Sequence, residues 1–506
     1  MLRQRLTILA GRRWSICSGG DWIFYPACPR RDGSSRFGVD NTWGTFPSAA
    51  AAWRISEENF MKSVPEISNL KLRLGWGQTG NAGNLNSDQA TAALTSANIQ
   101  YNYYPQNGAL GAGSSSKIPV VGTVKTLADT KLKWETNEQT NIGIDFGLFK
   151  NNLNITVDYF TRSSKDLLNW LNIRPSSGYS KVYTNLGGID NKGYEFSINY
   201  KKQINQDWNF SVTATGSHVK NKISNIGGDI FFENTGATGD GSNQGQIGAP
   251  SGTYWNNHSI MRNGYAVGSF YGYQVDHIYK NQAEIDADNA AAVAKGHTQY
   301  NNGSKTVPGD YKFKDVNGDG FLDENDRTIL GNGFPKLNYG LTFNASYKNW
   351  DFMIYGYGVY GAQIYSYSAM TLTDMFPSDN GTTPNVLNDV AQNAWTPANS
   401  TNAKYARLSF LDLNYNMRGS DAWIKKGDYF KLSNIQVGYS FDKNLLKAVR
   451  LQSARISASV SNVLCISSYN KYGDPEVGQG SVLFTGLDTG RYPMPRVYSV
   501  GLNIQF

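Results

Sequence analysis

Strict alternation of apolar and polar residues, repeated in one segment after another, limits what this chain can fold into more than any other feature. In Val497–Phe506, Tyr498, Val500, Leu502, Ile504 and Phe506 fall on one side of an extended strand, with Ser499, Gly501, Asn503 and Gln505 on the other. Successive side chains of a strand point to opposite faces, so one face is apolar and the other polar or bare. The same period recurs in Leu70/Leu72/Leu74/Trp76, Ile142/Ile144/Phe146/Leu148, Leu153/Ile155/Val157/Tyr159 and Tyr194/Phe196/Ile198/Tyr200. It returns in Trp208/Phe210/Val212/Ala214, Leu337/Tyr339/Leu341/Phe343/Ala345, Phe352/Ile354, Ile435/Val437/Tyr439/Phe441 and Ile456/Ala458/Val460. A helix would need apolar spacings of three and four, which these runs lack.

The connections alternate in length. Those at Lys150–Asn152, Lys202–Gln206 and Lys348–Asn349 are tight, whereas Gln78–Glu138, Arg162–Asn191, Asn281–Lys336 and Gly361–Asp428 are long and rich in Gly, Ser, Asn and Thr. Tight turns on one side and long loops on the other fit an all-β, antiparallel transmembrane β-barrel with short periplasmic turns and long extracellular loops. Strand parity closes with strands near 43–53, 69–77, 139–149, 152–162, 192–201, 207–217, 253–262, 268–279, 337–347, 350–360, 429–440, 453–463 and 496–506. An unpaired edge in hydrocarbon is prohibitively costly, so the odd count calls for one more strand, about 14 in all. That strand should precede Arg31, where residues 1–30 show no alternation through Gly11–Gly20. The segment 1–30 therefore reads as an aberrant start, frame-shifted or misassigned, and 31–506 as barrel. The run Leu6–Ala10, closed by Arg12 and Arg13, is too short for a signal peptide.

Composition agrees once the two-faced wall is considered. Only 17% of the 506 residues are charged, and Gly (53), Tyr (31), Phe (23) and Trp (12) are abundant. The mean hydropathy of −0.46 suits a chain whose strands devote half their residues to a polar face and whose loops stay in water. No run approaches the ~20 apolar residues of a membrane-spanning helix. The net charge of +7 is spread along the chain, which reads as loop surface rather than a nucleic-acid site. Cys17, Cys28 and Cys465 form neither a CxxC pair nor a Cys/His cluster, and four histidines lack a Ser or Cys partner at catalytic spacing. No phosphate loop or dinucleotide fingerprint is present. The chain is expected not to be an enzyme.

One local motif carries chemistry. Asp315, Asn317, Asp319, the Phe321 carbonyl, Asp323 and Asp326 supply oxygens at positions 1, 3, 5, 7, 9 and 12 of a loop with Gly320 at position 6. That spacing suits Ca2+ in a structural role on a long extracellular loop. Asp at position 12 is shorter than the Glu usual there, and no flanking amphipathic helices are evident. The alternative reading is an acidic turn without metal.

Arg31–Gly38, Leu70–Asn81, Trp134–Gly143, Asn191–Glu195, Gly268–Tyr273, Pro308–Gly320, Tyr429–Asn434 and Tyr492–Arg496, in that order, resemble the SusC/RagA family of TonB-dependent outer-membrane transporters. The resemblance implies a barrel of about 22 strands around a plugged lumen, of which this chain resembles the C-terminal part. It further implies TonB acting on the plug, a SusD-like surface lipoprotein over the outer mouth, and an oligosaccharide or peptide as cargo. The setting would be the outer membrane, in contact with lipid, of a Gram-negative, Bacteroidetes-like cell. Phe506 resembles the aromatic end that barrel-assembly machinery reads. Tyr101, Tyr103, Tyr104, Tyr365 and Tyr367 are candidates for stacking on cargo, and Asp145, Asp158 and Glu195 for touching it from the lumen. The other strand-end aromatics read as interfacial girdles. The rival readings are a passive structural or adhesive barrel and a soluble, calcium-clipped carbohydrate-binding β protein.

Overall fold

The computed structural model describes residues 17–19, 22–25, 29–34, 37, 39–82, 126–127, 129, 131–172, 181–226, 230–232, 259–301, 305–375, 385–448, 450–478 and 484–506. They fall into two units, one of residues 1–199 with 219–228, the other of 200–218 with 229–506. Each is built on long antiparallel wall strands.

In the first unit the wall runs β1 (Cys17–Gly19), β2 (Trp22–Tyr25), β3 (Ser48–Arg54), β4 (Ile67–Asn81), β5 (Glu135–Leu148), β6 (Leu153–Lys165) and β7 (Gly188–Gln203), the last reaching into the second unit's residues. The expected strand 43–53 is split at Pro47. Trp43–Phe46 turns back to pair with Arg30–Gly33, and only Ser48–Arg54 joins the wall. Proline has no N–H to give a ladder, and the Pro47 carbonyl instead accepts from the Gln78 amide at 2.8 Å. Ahead of it, β1 and β2 extend the wall with Trp22 opposite Trp53. The unpatterned stretch thus contains wall strands, short ones.

The second unit's wall is β8 (Trp208–Ser224, its first half here), β9 (Leu337–Tyr347), β10 (Trp350–Tyr360), β11 (Tyr429–Ser440), β12 (Ser453–Ser467) and β13 (Val497–Gln505). Here one expectation is corrected. Residues 259–262 and 268–279 are not wall strands, because β8 pairs directly with β9, Trp208 opposite Tyr347 through Ser217 opposite Asn338, while 253–258 lie outside the described residues. Ser259–Met261 and Ser269–Gly272 belong to a small sheet with Ile230–Phe232 and Thr328–Gly331. Ser259, Ile260 and the whole of Ser269–Gly272 are buried. Parity rather than alternation called for 253–262, and neither Ser-Ile-Met nor Ser-Phe-Tyr-Gly carries a period of two, as suits strands covered on both faces. Removing two strands together leaves parity intact, so the short-turn and long-loop sides stand as expected.

The wall wears its apolar residues outside. Leu74, Trp76, Ile142, Ile144, Val157, Tyr159, Leu341, Phe343, Ile354 and Ile456 are all exposed. The opposite face carries Arg73, Asp145, Asp158, Thr342, Asn344 and Arg455. In water such a surface would be an aggregation liability; against hydrocarbon it is the stable arrangement. At the short-turn rim of the second unit the aromatics form a band, with Trp208 against Tyr347 (ring centroids 4.5 Å apart), Trp350 against Tyr439 (4.8 Å) and Tyr439 against Phe441 (5.3 Å). This is the amphipathic girdle expected at a membrane interface.

Apolar cores of the ordinary kind lie in the long loops. Phe270, Tyr365, Tyr367, Met370, Met417, Trp423, Phe484 and Leu487 pack together in the second unit, and Ala292, Tyr300, Phe313 and Leu322 form a second cluster there. A smaller cluster in the first unit joins Phe37 and Leu132 with Trp134.

Candidate functional site

On the polar face of the first unit, Arg73 of β4 reaches over β5 to β6. Its guanidinium holds Asp145 through two bonds (Nε–Oδ2 2.9 Å, Nη2–Oδ1 3.0 Å) and also Asp158 (3.0 Å). The strand register explains the arch: Arg73 lies opposite Gly143, which lies opposite Asp158. A Cβ at Gly143 would stand 2.7 Å from Arg73 Cζ and closer still to the Asp158 carboxylate. Only a bare position lets the ion pair close across the middle strand. Gly143→Ala is therefore expected to push the pair apart and lower stability by about 1 kcal/mol, the worth of a partly exposed pair. Urea unfolding from detergent micelles measures it. The second unit repeats the device, with Arg455 paired to Asp351 (Nε–Oδ1 3.0 Å) beside Gly438.

These contacts decide two of the three lumenal candidates. Asp145 and Asp158 are spent on Arg73, while Glu195 stands exposed with no partner among the described residues. Of the aromatic candidates, Tyr101, Tyr103 and Tyr104 lie outside the described residues. Tyr365 and Tyr367 are corrected: both are buried in the loop core, because Gln363–Ser366 is the central strand of a small sheet between Ile424–Lys426 and Leu487–Asp488. Neither ring has a face to offer cargo.

Higher on the second unit's wall, a buried lysine ties down the segment that follows β12. Lys431 Nζ meets Glu476 at 2.6 Å and both oxygens of Asp474 at 3.1 Å, and the Tyr357 hydroxyl donates to Glu476 at 2.7 Å. Tyr469 bonds both Ser366 and Asp488 in the same region. A further hub joins two distant loop segments. The fully buried Asp310 accepts from Arg407 Nε (2.7 Å), Asn416 Nδ2 (3.0 Å) and the Val307 amide (2.9 Å). Asn414 and Asn301 continue the chain of bonds.

The calcium-type loop is closed by its own amides. Asp315 accepts from Gly318 (2.6 Å) and Gly320 (2.7 Å), and Asp326 from Val316 (2.7 Å), Asn317 (3.4 Å) and Asp323 (2.8 Å). Asp319 takes the Asn317 carboxamide at 2.8 Å, and Asp323 caps the turn through Asn325 (2.7 Å). Among the described residues no group of three or more His, Cys, Asp and Glu side chains stands arranged to hold a metal ion. Burial, with a smaller contribution from the Asp315 charge, pushes the Asp326 carboxyl above its usual range. A helix that the sequence reading left inside a long loop, α1 (Gln282–Ala294), supports this loop: Lys295 Nζ donates to the Gly318 carbonyl at 3.0 Å. Its signal was legible. Asn281 caps the helix by accepting from Glu284 N at 3.1 Å, and the Glu284 carboxylate accepts from Lys280 N at 2.8 Å, one residue before the cap, in the Asn-x-x-Glu spacing of a helix start.

Comparison with known proteins places this architecture. A family model described as TonB dependent receptor-like, beta-barrel, matches residues 6–317, more than half of the chain. The chain belongs to this family of TonB-dependent receptors. It is 31% identical over 485 residues to TonB-dependent receptor P3 of Formosa agariphila, covering 94% of this chain and 43% of the relative. It is 32% identical over 482 residues to TonB-dependent receptor SusC of Bacteroides thetaiotaomicron, covering 94% and 41%. The RagAB peptide transporter structure shares the fold at a TM-score of 0.68 and 19% identity, over 96% of this chain and 46% of that one. The chain thus spans less than half the length of the relatives it matches. It is a SusC/RagA-like, non-enzymatic TonB-dependent receptor barrel of the Gram-negative outer membrane, represented in part.

Proposed function

We propose that this chain supplies wall and extracellular loops to an energised importer of an oligomeric nutrient, an oligosaccharide or a peptide. The observation that carries the reading is the two-faced wall, with apolar rows exposed on one side and charged arches on the other. The fold shared with the RagAB peptide transporter supports a peptide cargo, and the resemblance to the SusC/RagA family carries the oligosaccharide. A SusD-like lipoprotein on the long-loop side and the TonB complex at the opposite side are the partners proposed on the same ground. β13 is paired only with β12 among the described residues and is exposed along its whole length. A free edge in hydrocarbon requires another strand, so import is a property of the completed barrel. Cells carrying that barrel should accumulate labelled oligosaccharide or peptide only with TonB and a proton-motive force. Equal uptake after TonB deletion would favour the passive barrel.

We further propose that Ca2+ enters the Asp315–Asp326 loop and draws Asp315, Asn317, Asp319, the Phe321 carbonyl, Asp323 and Asp326 together. The mutual repulsion of Asp315 and the buried Asp326 is what a cation would relieve. Limited proteolysis should cut this loop more slowly with Ca2+ than with chelator; identical digestion excludes the ion.

A further inference from the structure

On the polar face of the first unit, below the Arg73 arch, lies a cavity of about 510 Å³ lined by Arg54, Asn69, Lys71, Asp145, Asn154 and Thr156. The register builds it. Arg54 lies opposite Lys71, Lys71 opposite Asp145 and Asp145 opposite Thr156, so one row crosses four strands from β3 to β6. The next row is Asn69, Gly147 and Asn154, and the missing side chain at Gly147 makes room for the Asn151 carboxamide beside Asn69. A Cβ there would already crowd Asn69 Cβ at 3.1 Å.

The hydrogen-bonding balance of this cavity is one-sided. Its single carboxylate, Asp145, is committed to two guanidinium nitrogens of Arg73 and to the Thr156 hydroxyl. Its donors are not. Neither Lys71 nor Asn69 makes a side-chain hydrogen bond or ion pair among the described residues, and Arg54 spends one nitrogen, Nη2, on the exposed Glu57. An ammonium carries three N–H groups and a guanidinium five. The site therefore sets two cations with free N–H groups against one carboxylate that is already in use, its other acceptors being the neutral side-chain oxygens of Asn69, Asn154 and Thr156. Ligands that complete such a site are anionic oxygens, which accept charge-assisted bonds and donate none.

We infer that this cavity is a carboxylate-binding subsite on the lumenal wall, with Lys71 as its anchor and Arg54 and Asn69 as flanking donors. The inference rests on the import reading for its biological occupant, a carboxylate-bearing cargo, and deepens that reading by selecting acidic oligomers over neutral ones. Two sources share this chemistry: a uronic-acid oligosaccharide and an acidic peptide.

Calorimetric titration of the 506-residue chain in detergent tests it, with digalacturonate and Glu-Glu as probes and maltose and Ala-Ala amide as neutral controls. At least one acidic probe should bind at least tenfold more tightly than its neutral control, and the tighter of the two identifies the source. Lys71→Gln and Asn69→Asp should each weaken that binding at least tenfold, while Lys71→Arg retains it. Equal affinity for acidic and neutral probes overturns the subsite, as does binding indifferent to both Lys71→Gln and Asn69→Asp. Binding that meets these criteria, in a barrel whose uptake ignores TonB, would keep the subsite and remove the import reading. The reverse pattern would remove the subsite alone.

Discussion

Replacing Asp310 by Ala is expected to cost about 3–5 kcal/mol of loop stability, the usual penalty for stripping one partner from a buried ion pair. Asp310 is fully buried, and its three bonds reach Arg407, Asn416 and the Val307 amide. Without it the Arg407 guanidinium loses its only ion pair among the described residues, and two donors on separate loop segments lose their acceptor. Asn414 and Asn301 then lose their fixed neighbour, so the damage spreads along the network instead of ending at one bond. Arg418 and Trp423 lie further along the same segment, the Trp423 indole donating to the Arg418 carbonyl at 2.9 Å. Hydrogen exchange should show residues 305–315 and 405–418 losing protection together, with β9–β12 unaffected. Asp310→Asn keeps a carbonyl acceptor and should recover part of the loss.

Leu341→Arg and Thr342→Arg, adjacent on β9 but on opposite faces, should differ by roughly 2–4 kcal/mol, the cost of a cation at mid-depth against lipid. Leu341 is 47% exposed although it sits mid-strand, with Ala214 and Gly356 as its cross-strand neighbours. In an aqueous protein an arginine there would be nearly neutral, since the site is open and the side chain could reach water. In a bilayer the same exposure is exposure to hydrocarbon. Thr342 faces Thr213 on the polar side, where a charge stays hydrated. Urea titration of the chain refolded into lipid vesicles reads the difference, and repeating it in detergent-free buffer should abolish folding for both.

Much of this was readable from residues alone because a barrel strand has the simplest of codes. Leu70, Leu72, Leu74 and Trp76 declare their face by position, and a register slip of one residue would turn every one of them to the wrong side. Counting strands to close parity misled at 253–262 and 268–279. Phe270 and Tyr271 are adjacent and so point to opposite faces, yet both lie covered by loop structure, and a count of strands does not record what covers them. The spacing of Tyr365 and Tyr367 is equally silent, and burial removed them as cargo platforms. The Asp315–Asp326 loop was visible as a run of oxygens, but its closure by amides depends on geometry. The carboxylate subsite was invisible for another reason: Arg54, Asn69, Lys71, Asn154 and Thr156 are scattered along 103 positions and meet only through the register of four strands. Glycines mattered in the same way, since Gly143 and Gly147 act through what their absent side chains permit.

The central claim is that lipid covers the Leu341/Phe343 face and water the Thr342/Asn344 face. Spin labels at each of the four positions, in a chain with Cys17, Cys28 and Cys465 changed to Ser and reconstituted in vesicles, test it directly through collision with oxygen and with a water-soluble nickel chelate. Labels at 341 and 343 should collide with oxygen and resist nickel, and labels at 342 and 344 should do the opposite. The same response at all four positions, or protection of 341 and 343 from both reagents, would contradict the account.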